Sequence, residues 1–266
     1  MTGHALPHTG RKALVTGAGR GLGRAAAQRL AAEGATVIVV GRGREALESV
    51  AREIDEAGGK AQVIAADVSD DADVQRLHQE AGHVDIVVNN AAAEEQWGPI
   101  VTADIDSWRT VFEVNVFAPV RLIQAFAPGM AERGYGVVVN MSSIGGRQPA
   151  PFLATYGASK AALDMVSRTA AMELAGSGVR VNSIASGITD MGKTYELLPP
   201  SLLADVSRII PAGRLATEDD IAAAVSYLCS DGAAYVNGQI LTVDGAMTSG
   251  QWSTMTVMTA SMSAQA

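Results

Sequence analysis

A tyrosine and a lysine stand four residues apart in the segment YGASK, as Tyr156 and Lys160. The segment opens an alanine-rich stretch with helical character, so both side chains are expected on one face of a helix. A phenol with a pKa of about 10 exchanges protons poorly at neutral pH, but a neighbouring ammonium stabilises the phenolate and lowers that pKa. The pair therefore predicts acid–base chemistry with Tyr156 as the proton-exchanging group.

Two further polar residues could serve the same reaction. Ser143 follows the apolar run GVVVNMS, at the predicted carboxyl end of a parallel strand, where open α/β sheets place their ligands. Its hydroxyl could hold a reacting oxygen while hydride passes to or from the attached carbon. Asn115 is predicted to lie in the helix between the fourth and fifth strands. Each residue alone also fits a structural role, such as a cap, a solvated charge or a helix-interior polar group. Together they favour hydride chemistry.

A glycine-rich segment, TGAGRGLG, occupies residues 16–23. It lacks the Gly-Lys-Ser/Thr ending of a nucleoside-triphosphate loop, and Leu22 stands where a G-x-G-x-x-G motif needs its last glycine. The spacing that fits is G-x-x-x-G-x-G between a strand and a helix, which would seat a pyrophosphate at the helix N-terminus. A plain strand-to-helix connection is the alternative. The predicted loop consists of Gly17, Gly19, Arg20, Gly21, Leu22 and Gly23.

The end of the second predicted strand carries Gly41 and Arg42 instead of an acidic residue. A carboxylate there would bind a ribose 2′-OH, whereas a cation accommodates a 2′-phosphate. Arg42, with Arg20 in the glycine loop, therefore favours NADP(H), and NAD(H) stays possible. The alternative is that both are ordinary solvated arginines.

These residues require a scaffold of alternating strands and helices. Short β-branched runs alternate with helical stretches such as RAAAQRLAAEG, REALESVAREIDEAGG and TEDDIAAAVSYLCS, which predicts a single Rossmann-type α/β domain with a doubly wound sheet of seven parallel strands. The predicted strands cover residues 12–16, 36–40, 61–65, 84–89, 136–141, 180–185 and 239–243. We expect a loose N-terminal arm over residues 1–10, the catalytic domain over 11–246 and a tail over 247–266.

Composition narrows the function classes. The net charge of -8 disfavours nucleic acid as a partner. A single cysteine, Cys229, leaves no disulfide pair and suits a reducing, cytoplasmic location. No signal peptide or membrane span is recognised, and the four histidines have no metal-ligand spacing, so neither a membrane nor a metal is expected.

The chain resembles the short-chain dehydrogenase/reductase family from the first strand to about residue 246. The matching segments are TGAGRGLG, DVSD at 67–70, NNAA at 89–92, Asn115, Ser143, YGASK, VRVNSIASG at 179–187 and YVNGQILTVDGA at 235–246. Their order and spacing agree with the family, and the nearest branch contains 3-oxoacyl reductases and polyol and ketone dehydrogenases.

The resemblance implies a role for each matching residue. Tyr156 would be the acid/base, Ser143 would position the substrate oxygen, Lys160 would hold the nicotinamide ribose and tune Tyr156, and Asn115 would support a water-linked proton path. The implied cofactor contacts are Asp67 and Val68 near the adenine, Asn89 near the adenosine ribose with Ala91 beside it, and Gly187, Ile188 and Thr189 at the nicotinamide. A homotetramer is also implied.

The sequence departs from the family at Ala92, where glycine is usual, and at Ser186, where proline is usual. We expect slightly altered cofactor geometry with activity retained. The segment after Thr189, with Met191, Tyr195, Leu197 and Leu198, stands at the family's substrate-lid position, and Glu94, Glu95 and Trp97 follow NNAA at the predicted pocket rim.

Three functions stay open from the sequence. The first is an NADP(H)-dependent oxidoreductase that interconverts a ketone of modest polarity and a secondary alcohol. The second is a 3-oxoacyl-thioester reductase, although Arg121, Arg133 and Arg168 are too scattered to predict a carrier-docking patch. The third is a dinucleotide-sensing protein without catalysis, which the intact set of four catalytic residues disfavours.

Overall fold

One sheet of seven parallel strands forms the centre of the fold. The computed structural model describes residues 6–93, 98–191 and 200–250, with strand order β3-β2-β1-β4-β5-β6-β7. The strands are β1 Lys12–Thr16, β2 Thr36–Gly41, β3 Lys60–Ala65, β4 Ile86–Asn89, β5 Gly136–Ser143, β6 Val179–Ser186 and β7 Ile240–Val243. The predicted doubly wound parallel sheet is confirmed, with small differences at the strand ends.

Helices cover both faces of this sheet. They are α1 Gly21–Ala32, α2 Arg44–Glu56, α3 Asp71–Ala81, α4 Ile105–Phe112, α5 Ala118–Glu132, α6 Ala154–Leu174, α7 Pro200–Ile209 and α8 Glu218–Cys229. Alternate strand residues point to opposite faces, so Val137 and Val139 join the core under α1, α2 and α8, while Val138 joins the core under α3 and α5. Burial on both faces explains the nearly unbroken apolar strands.

The strand order reverses between β1 and β4. The chain moves outward from β1 through β2 to β3 and then crosses back to β4, which pairs with β1 in parallel. Such a reversal opens a crevice at the carboxyl ends of the two strands, and open α/β sheets bind ligands there. The glycine loop after β1 and the NNAA segment after β4 both lie at this edge.

The N-terminal segment differs from the sequence prediction. Residues 6–10, expected to be a loose arm, pack against the domain: His8 is fully buried, and its backbone N–H donates to the Glu33 carbonyl. Residues 1–5 and 251–266 lie outside the described residues, as do the predicted rim and lid residues Glu94, Glu95, Trp97, Tyr195, Leu197 and Leu198.

The longest apolar helical stretch runs over residues 105–132. Within the described part of the chain, it is the helix whose length and hydropathy would suffice to cross a membrane, and half of its most apolar window is buried in the fold. Arg121 in this stretch forms ion pairs with Asp71 and Glu113. Leu122, Phe126 and Met130 of the same stretch are buried in the core on the α3 side of the sheet.

Candidate active site

Ser143, Tyr156 and Lys160 meet at the carboxyl end of β5. An ideal Cβ built on Gly145 would lie 3.5 Å from Ser143 Oγ and 3.8 Å from two ring carbons of Tyr156, so the hydroxyl and the phenol ring flank the same glycine. Lys160 Nζ lies 5.5 Å from the centre of the Tyr156 ring and donates to the Met141 carbonyl over 2.8 Å. The structure therefore brings together three residues that are separated in the sequence.

Asn115 lies in a π-helical turn, Glu113–Phe117, between α4 and α5. Such turns widen a helix locally and often mark functional sites. The buried Asn115 side chain accepts from the Ala93 N–H over 2.8 Å and donates to the Ala93 carbonyl over 2.9 Å. It also donates to Ser159 Oγ over 3.0 Å, and Ser159 donates to the Tyr156 carbonyl over 2.7 Å. Asn115 thus connects the segment after β4 to the start of α6.

Hydrogen bonds from Asn90 hold the glycine loop against the end of β4. Asn90 Nδ2 donates to the Thr16 carbonyl over 3.0 Å and to the Gly17 carbonyl over 3.3 Å. A Cβ on Gly23 would lie 2.3 Å from the Gly17 carbonyl oxygen and 2.4 Å from Asn90 Nδ2, so no larger residue fits there. Gly17 has φ of +63°, a conformation that glycine adopts without strain. The predicted tight turn is thus present in the structure.

The start of α1 suits an anion. The helix begins at Gly21, within the glycine-rich segment, with no side-chain cap and no acidic residue in its first turn. Its first N–H groups lack partners within the helix and carry the positive end of the helix dipole. Arg20 and Arg42 are exposed beside this helix start and at the end of β2. These residues fit a dinucleotide that carries an additional phosphate.

The residues predicted to contact the adenosine half of the cofactor are held by hydrogen bonds or packed in the core. Asp67 Oδ1 accepts from the Ser69 N–H and hydroxyl over 3.0 and 2.6 Å, and these bonds, with the nearby Arg42, hold the pKa of Asp67 below its usual range despite partial burial. Val68 is buried in the core on the α3 side. Ala91 donates its N–H to Thr16 Oγ1. Asn89 is buried with no partner for Oδ1 among the described residues, which leaves an acceptor for a ligand hydroxyl.

The predicted nicotinamide side follows β6. The Gly187 N–H donates to the Val243 carbonyl, and Thr189 Oγ1 donates to the Gly187 carbonyl. Ile188 accepts from the Ala216 N–H through its carbonyl, so backbone bonds hold the segment. An ideal Cβ on Gly21 would lie 3.8 Å from Met191 Sδ. The first part of the predicted lid therefore reaches across to the glycine loop.

Neither departure from the family pattern distorts the backbone. Among the described residues other than glycine, Phe152 and Ala246 have positive φ, and Ala92 and Ser186 do not. Ala92 is exposed, and Ser186 ends β6 opposite Ser143 in the parallel ladder. Neither residue therefore strains the backbone of the chain itself. The predicted effect of Ala92 and Ser186 on the geometry of a bound cofactor stays a prediction.

Sequence reasoning missed two positioning groups. Asn90 and Ser159 were not singled out, although one stands in NNAA and the other in YGASK. Their roles depend on the backbone carbonyls of Gly17 and Tyr156, which residue types do not reveal. No group of three or more His, Cys, Asp or Glu residues suited to a metal occurs within residues 6–93, 98–191 and 200–250.

Comparisons with known proteins place these features in a family. A family profile described as Enoyl-(Acyl carrier protein) reductase matches residues 17–248. The chain is 40% identical over 248 residues to 3beta-hydroxysteroid dehydrogenase 1 of Eggerthella lenta, covering 90% of this chain and 94% of that one.

Two solved structures are similar in fold as well as in sequence. One is a gluconate 5-dehydrogenase from Burkholderia cenocepacia J2315 in complex with NADP and tartrate, with TM-score 0.87, 32% identity and coverage of 93% of this chain and 100% of that chain. The other is a 7α-hydroxysteroid dehydrogenase complexed with NADH and 7-oxo glycochenodeoxycholic acid, with TM-score 0.87, 33% identity and coverage of 91% and 95%.

Proposed function

The chain belongs to the short-chain dehydrogenase/reductase family, and from this premise we propose that it interconverts a ketone and a secondary alcohol with NADP(H). The observation that carries the proposal is the placement of Tyr156 between Ser143 and the Lys160 ammonium at the carboxyl end of β5. When bound, the nicotinamide supplies or accepts the hydride.

The chain's own groups handle the oxygen and its proton. Ser143 donates a hydrogen bond to the substrate oxygen and holds it beside the phenol. Tyr156 gives its proton to that oxygen during reduction and takes it back during oxidation. The Lys160 ammonium favours the phenolate that remains. Asn115, through Ser159, fixes the first turn of α6, and we propose that it also supports the route by which Tyr156 is reprotonated.

NADP(H) is favoured over NAD(H) by the charges at the adenosine end. Arg20 and Arg42 are exposed at the two segments that would flank a 2′-phosphate, and within the described chain neither forms a salt bridge. The gluconate 5-dehydrogenase structure holds NADP, which agrees with this choice, whereas the 7α-hydroxysteroid dehydrogenase holds NADH. NAD(H) is therefore the alternative that the experiment must include.

The substrate is proposed to be a ketone of modest polarity. The loop between Ser143 and Tyr156 exposes Pro149, Ala150, Pro151 and Phe152 beside the site, and its polar members are engaged elsewhere: Arg147 donates to Thr242 and Gln148 to the Thr248 carbonyl. The named activities of two relatives concern steroid hydroxyl or oxo groups. A ring ketone on an apolar skeleton is accordingly the first substrate to test.

A 3-oxoacyl-thioester reductase is the second candidate. The description of the matching family profile names an acyl carrier protein, which supports a thioester as the alternative substrate. Arg121 is bound to Asp71 and Glu113, and Arg133 donates to the Val84 carbonyl. Two of the three arginines considered for carrier docking are therefore occupied within the chain.

We propose in addition that the enzyme is a cytoplasmic homotetramer. Met165 and Met172 lie seven residues apart on one face of α6, and their side chains are 60% and 82% exposed. Exposed apolar side chains of this kind suit a surface that another subunit covers in the assembly. The single cysteine described in the structure, Cys229, is buried, and burial raises the pKa of its thiol to about 12, as suits a core residue in a reducing compartment.

The experiment that tests the function measures oxidation of NADPH and NADH with steroid ketones, small cyclic ketones, a keto-sugar acid and 3-oxoacyl thioesters. Tyr156→Phe removes the phenol, and Tyr227→Phe, at a half-exposed tyrosine on α8, is the matched control. We expect turnover with NADPH that falls at least about 100-fold in Tyr156→Phe and is kept in Tyr227→Phe. Tight cofactor binding without turnover of any substrate would favour the dinucleotide-sensing alternative.

A further inference from the structure

A compact turn follows β7, the last strand of the sheet. It covers residues 244–248, named here the Asp244 turn, and the buried carboxylate of Asp244 holds it together. Asp244 Oδ1 accepts from the Ala246 N–H over 3.0 Å. Asp244 Oδ2 accepts from the Thr248 N–H over 2.8 Å and from the Thr248 hydroxyl over 2.6 Å. Both carboxylate oxygens are therefore bound within the turn itself.

The carboxylate bonds oppose a strain in the backbone of the Asp244 turn. Ala246 has φ of +69°, a left-handed conformation that residues with a Cβ rarely adopt. Such strain persists only where the surrounding structure fixes the backbone, and it is concentrated at functional sites. The N–H of Ala246 itself donates to Asp244, so the carboxylate stabilises the strained residue directly.

The Asp244 turn packs on the segment predicted to bind the nicotinamide, residues 187–189. A Cβ built on Gly187 would lie 2.7 Å from Asp244 Cα and 2.9 Å from Asp244 Cβ, so only glycine fits between them. Gly187 follows Ser186, the residue that stands opposite Ser143 in the parallel ladder. The same Ser186 is paired on its other side with β7, directly before the turn. The Asp244 turn therefore begins two strands away from Ser143.

A second contact joins the Asp244 turn to the segment that follows α7. The Gly245 carbonyl accepts from the Ala212 N–H over 3.1 Å, and a Cβ on Gly245 would lie 2.8 Å from Ala212 Cβ. Farther along this segment, the Ala216 N–H donates to the Ile188 carbonyl over 3.0 Å. Residues 212–216 are therefore bound to the Asp244 turn at one end and to the predicted nicotinamide segment at the other.

A third contact reaches the loop that leads from β5 to α6. Gln148 Nε2 donates to the Thr248 carbonyl over 3.4 Å, at the end of the Asp244 turn. Arg147 donates to Thr242 Oγ1 over 2.8 Å, two residues before the turn. The loop is therefore bound on both sides of Asp244. One carboxylate thus organises a turn that contacts three segments around the predicted pocket.

We propose that Asp244 is a positioning residue of the active site. By holding its turn, the carboxylate fixes the spacing between residues 187–189 and the loop that leads from β5 to α6. The nicotinamide half of the cofactor then enters a space that is already ordered, which lowers the entropic cost of binding. The proposal rests on the proposed function in assigning residues 187–189 to the nicotinamide.

The test separates the two halves of the cofactor and needs no turnover. Dissociation constants are measured for NADP⁺ and for its adenosine half, adenosine 2′,5′-bisphosphate, with NAD⁺ and AMP alongside. The variants are Asp244→Ala, which removes all three bonds, and Thr248→Val, which removes the hydroxyl bond alone. Asp104→Ala is the control, because the Asp104 carboxylate accepts from the Ser107 N–H over 3.0 Å at the start of α4, outside these segments.

We expect Asp244→Ala to weaken NADP⁺ binding about tenfold and to leave the binding of adenosine 2′,5′-bisphosphate unchanged. Its kcat should fall about tenfold to 100-fold, because the reacting groups lose their alignment. Thr248→Val should weaken NADP⁺ binding by a smaller factor. Adding Ala246→Gly to Asp244→Ala removes the left-handed strain and should recover part of the affinity. Asp104→Ala should alter neither dissociation constant.

Unchanged NADP⁺ affinity in Asp244→Ala would overturn the positioning role, and if that variant does not fold, unchanged affinity in Thr248→Val would do so. Equal weakening of NADP⁺ and adenosine 2′,5′-bisphosphate would also overturn it, because the carboxylate would then act on the whole fold. No recovery on adding Ala246→Gly would overturn the support of the strained backbone. Since binding requires no substrate, these results hold even if the ketone panel disproves the proposed function.

Discussion

Lys160 Nζ donates a hydrogen bond of 2.8 Å to the carbonyl oxygen of Met141. The ammonium is buried, and this bond directs it to the gap between the end of β5 and the Tyr156 ring. A backbone carbonyl carries no net charge, so this bond does not itself neutralise the Lys160 ammonium. The strand that carries Ser143 therefore also orients the ammonium that we propose tunes Tyr156.

Replacing Lys160 with methionine should separate the charge from the packing. Lys160→Met keeps an unbranched apolar stem but removes the ammonium, so the phenolate loses its stabilising charge. We expect kcat to fall at least about 100-fold and the pH–rate limb of Tyr156 to move to higher pH. Lys12→Met is the control, because Lys12 Nζ also donates to a backbone carbonyl, that of Ala81, far from the site. Equal losses in the two variants would contradict the assignment.

Arg42 should discriminate between the two cofactors. Arg42→Ala would remove the charge-assisted contact that we propose to the 2′-phosphate, and such contacts contribute roughly 1.5–3 kcal/mol, or about tenfold or more in affinity. We expect the KM for NADPH to rise by that factor and the KM for NADH to stay unchanged. Arg44→Ala, at an exposed arginine that pairs with Glu48 over 3.7 Å, should alter neither. Parallel changes with both cofactors would count against the 2′-phosphate contact.

A methyl group at position 23 should abolish cofactor binding. The added Cβ of Gly23→Ala would overlap the Gly17 carbonyl at 2.3 Å, which forces the loop away from α1. Gly58→Ala is the control: nothing lies within 4 Å of its Cβ, and its φ of +82° makes the substitution the more demanding of the two for the backbone. Cofactor fluorescence titration should show no binding by Gly23→Ala and normal binding by Gly58→Ala. Retained affinity in Gly23→Ala would show that the loop yields without penalty.

The sequence predicts the scaffold well because the scaffold follows from periodicity. All seven strands are recognisable as apolar runs, and the predicted helical stretch TEDDIAAAV begins with a capping box formed by Thr217 and Asp220. The glycine spacing likewise predicts a loop whose close contacts admit no side chain at Gly23.

Hydrogen bonds between side chains and backbone carbonyls could not be predicted from the sequence. Asn90 and Ser159 act on carbonyl groups of distant or neighbouring residues, and no residue type signals which carbonyl faces them. The burial of His8 was also missed, because the ten opening residues show no periodic apolar pattern in the sequence. The contact that holds His8, from its N–H to the Glu33 carbonyl just after α1, runs through the backbone. The burial of Asp164 was not predicted either, because the sequence does not reveal which turn of α6 packs on β5 and β6.

Charges on the exposed methionines of α6 should dissociate a tetramer. Met165 and Met172 lie two turns apart on the solvent-facing side of α6, and a carboxylate buried between subunits lacks a partner. We expect the double variant Met165→Glu/Met172→Glu to run as a smaller species in light scattering, with its circular dichroism unchanged. Leu6→Glu, at another exposed apolar residue, should leave the size unchanged. A wild-type protein that is monomeric at micromolar concentration would refute the assembly itself.

His8 should make the stability of the fold sensitive to mild acid. Its Nε2 lies 3.0 Å from Ser226 Oγ and 3.4 Å from Glu33 Oε2, and burial lowers the pKa of the imidazole despite the opposing attraction of Glu33 and Asp231. The unfolded chain, with a histidine pKa of about 6.5, therefore binds the proton first as the pH falls. The stability that the neutral imidazole contributes is present above that value and is lost as the pH falls through the folded-state pKa.

Thermal unfolding of His8→Gln from pH 7 to pH 5 tests this sign. Glutamine cannot take up the proton, so the melting temperature of the variant should fall less steeply with acidification than that of the wild type. His83→Gln, at an exposed histidine, should follow the wild-type slope. If His8→Gln and the wild type lost stability in parallel over this range, protonation of His8 would not be the cause, and carboxylates such as Glu33, whose pKa lies below its usual range, would have to account for the loss.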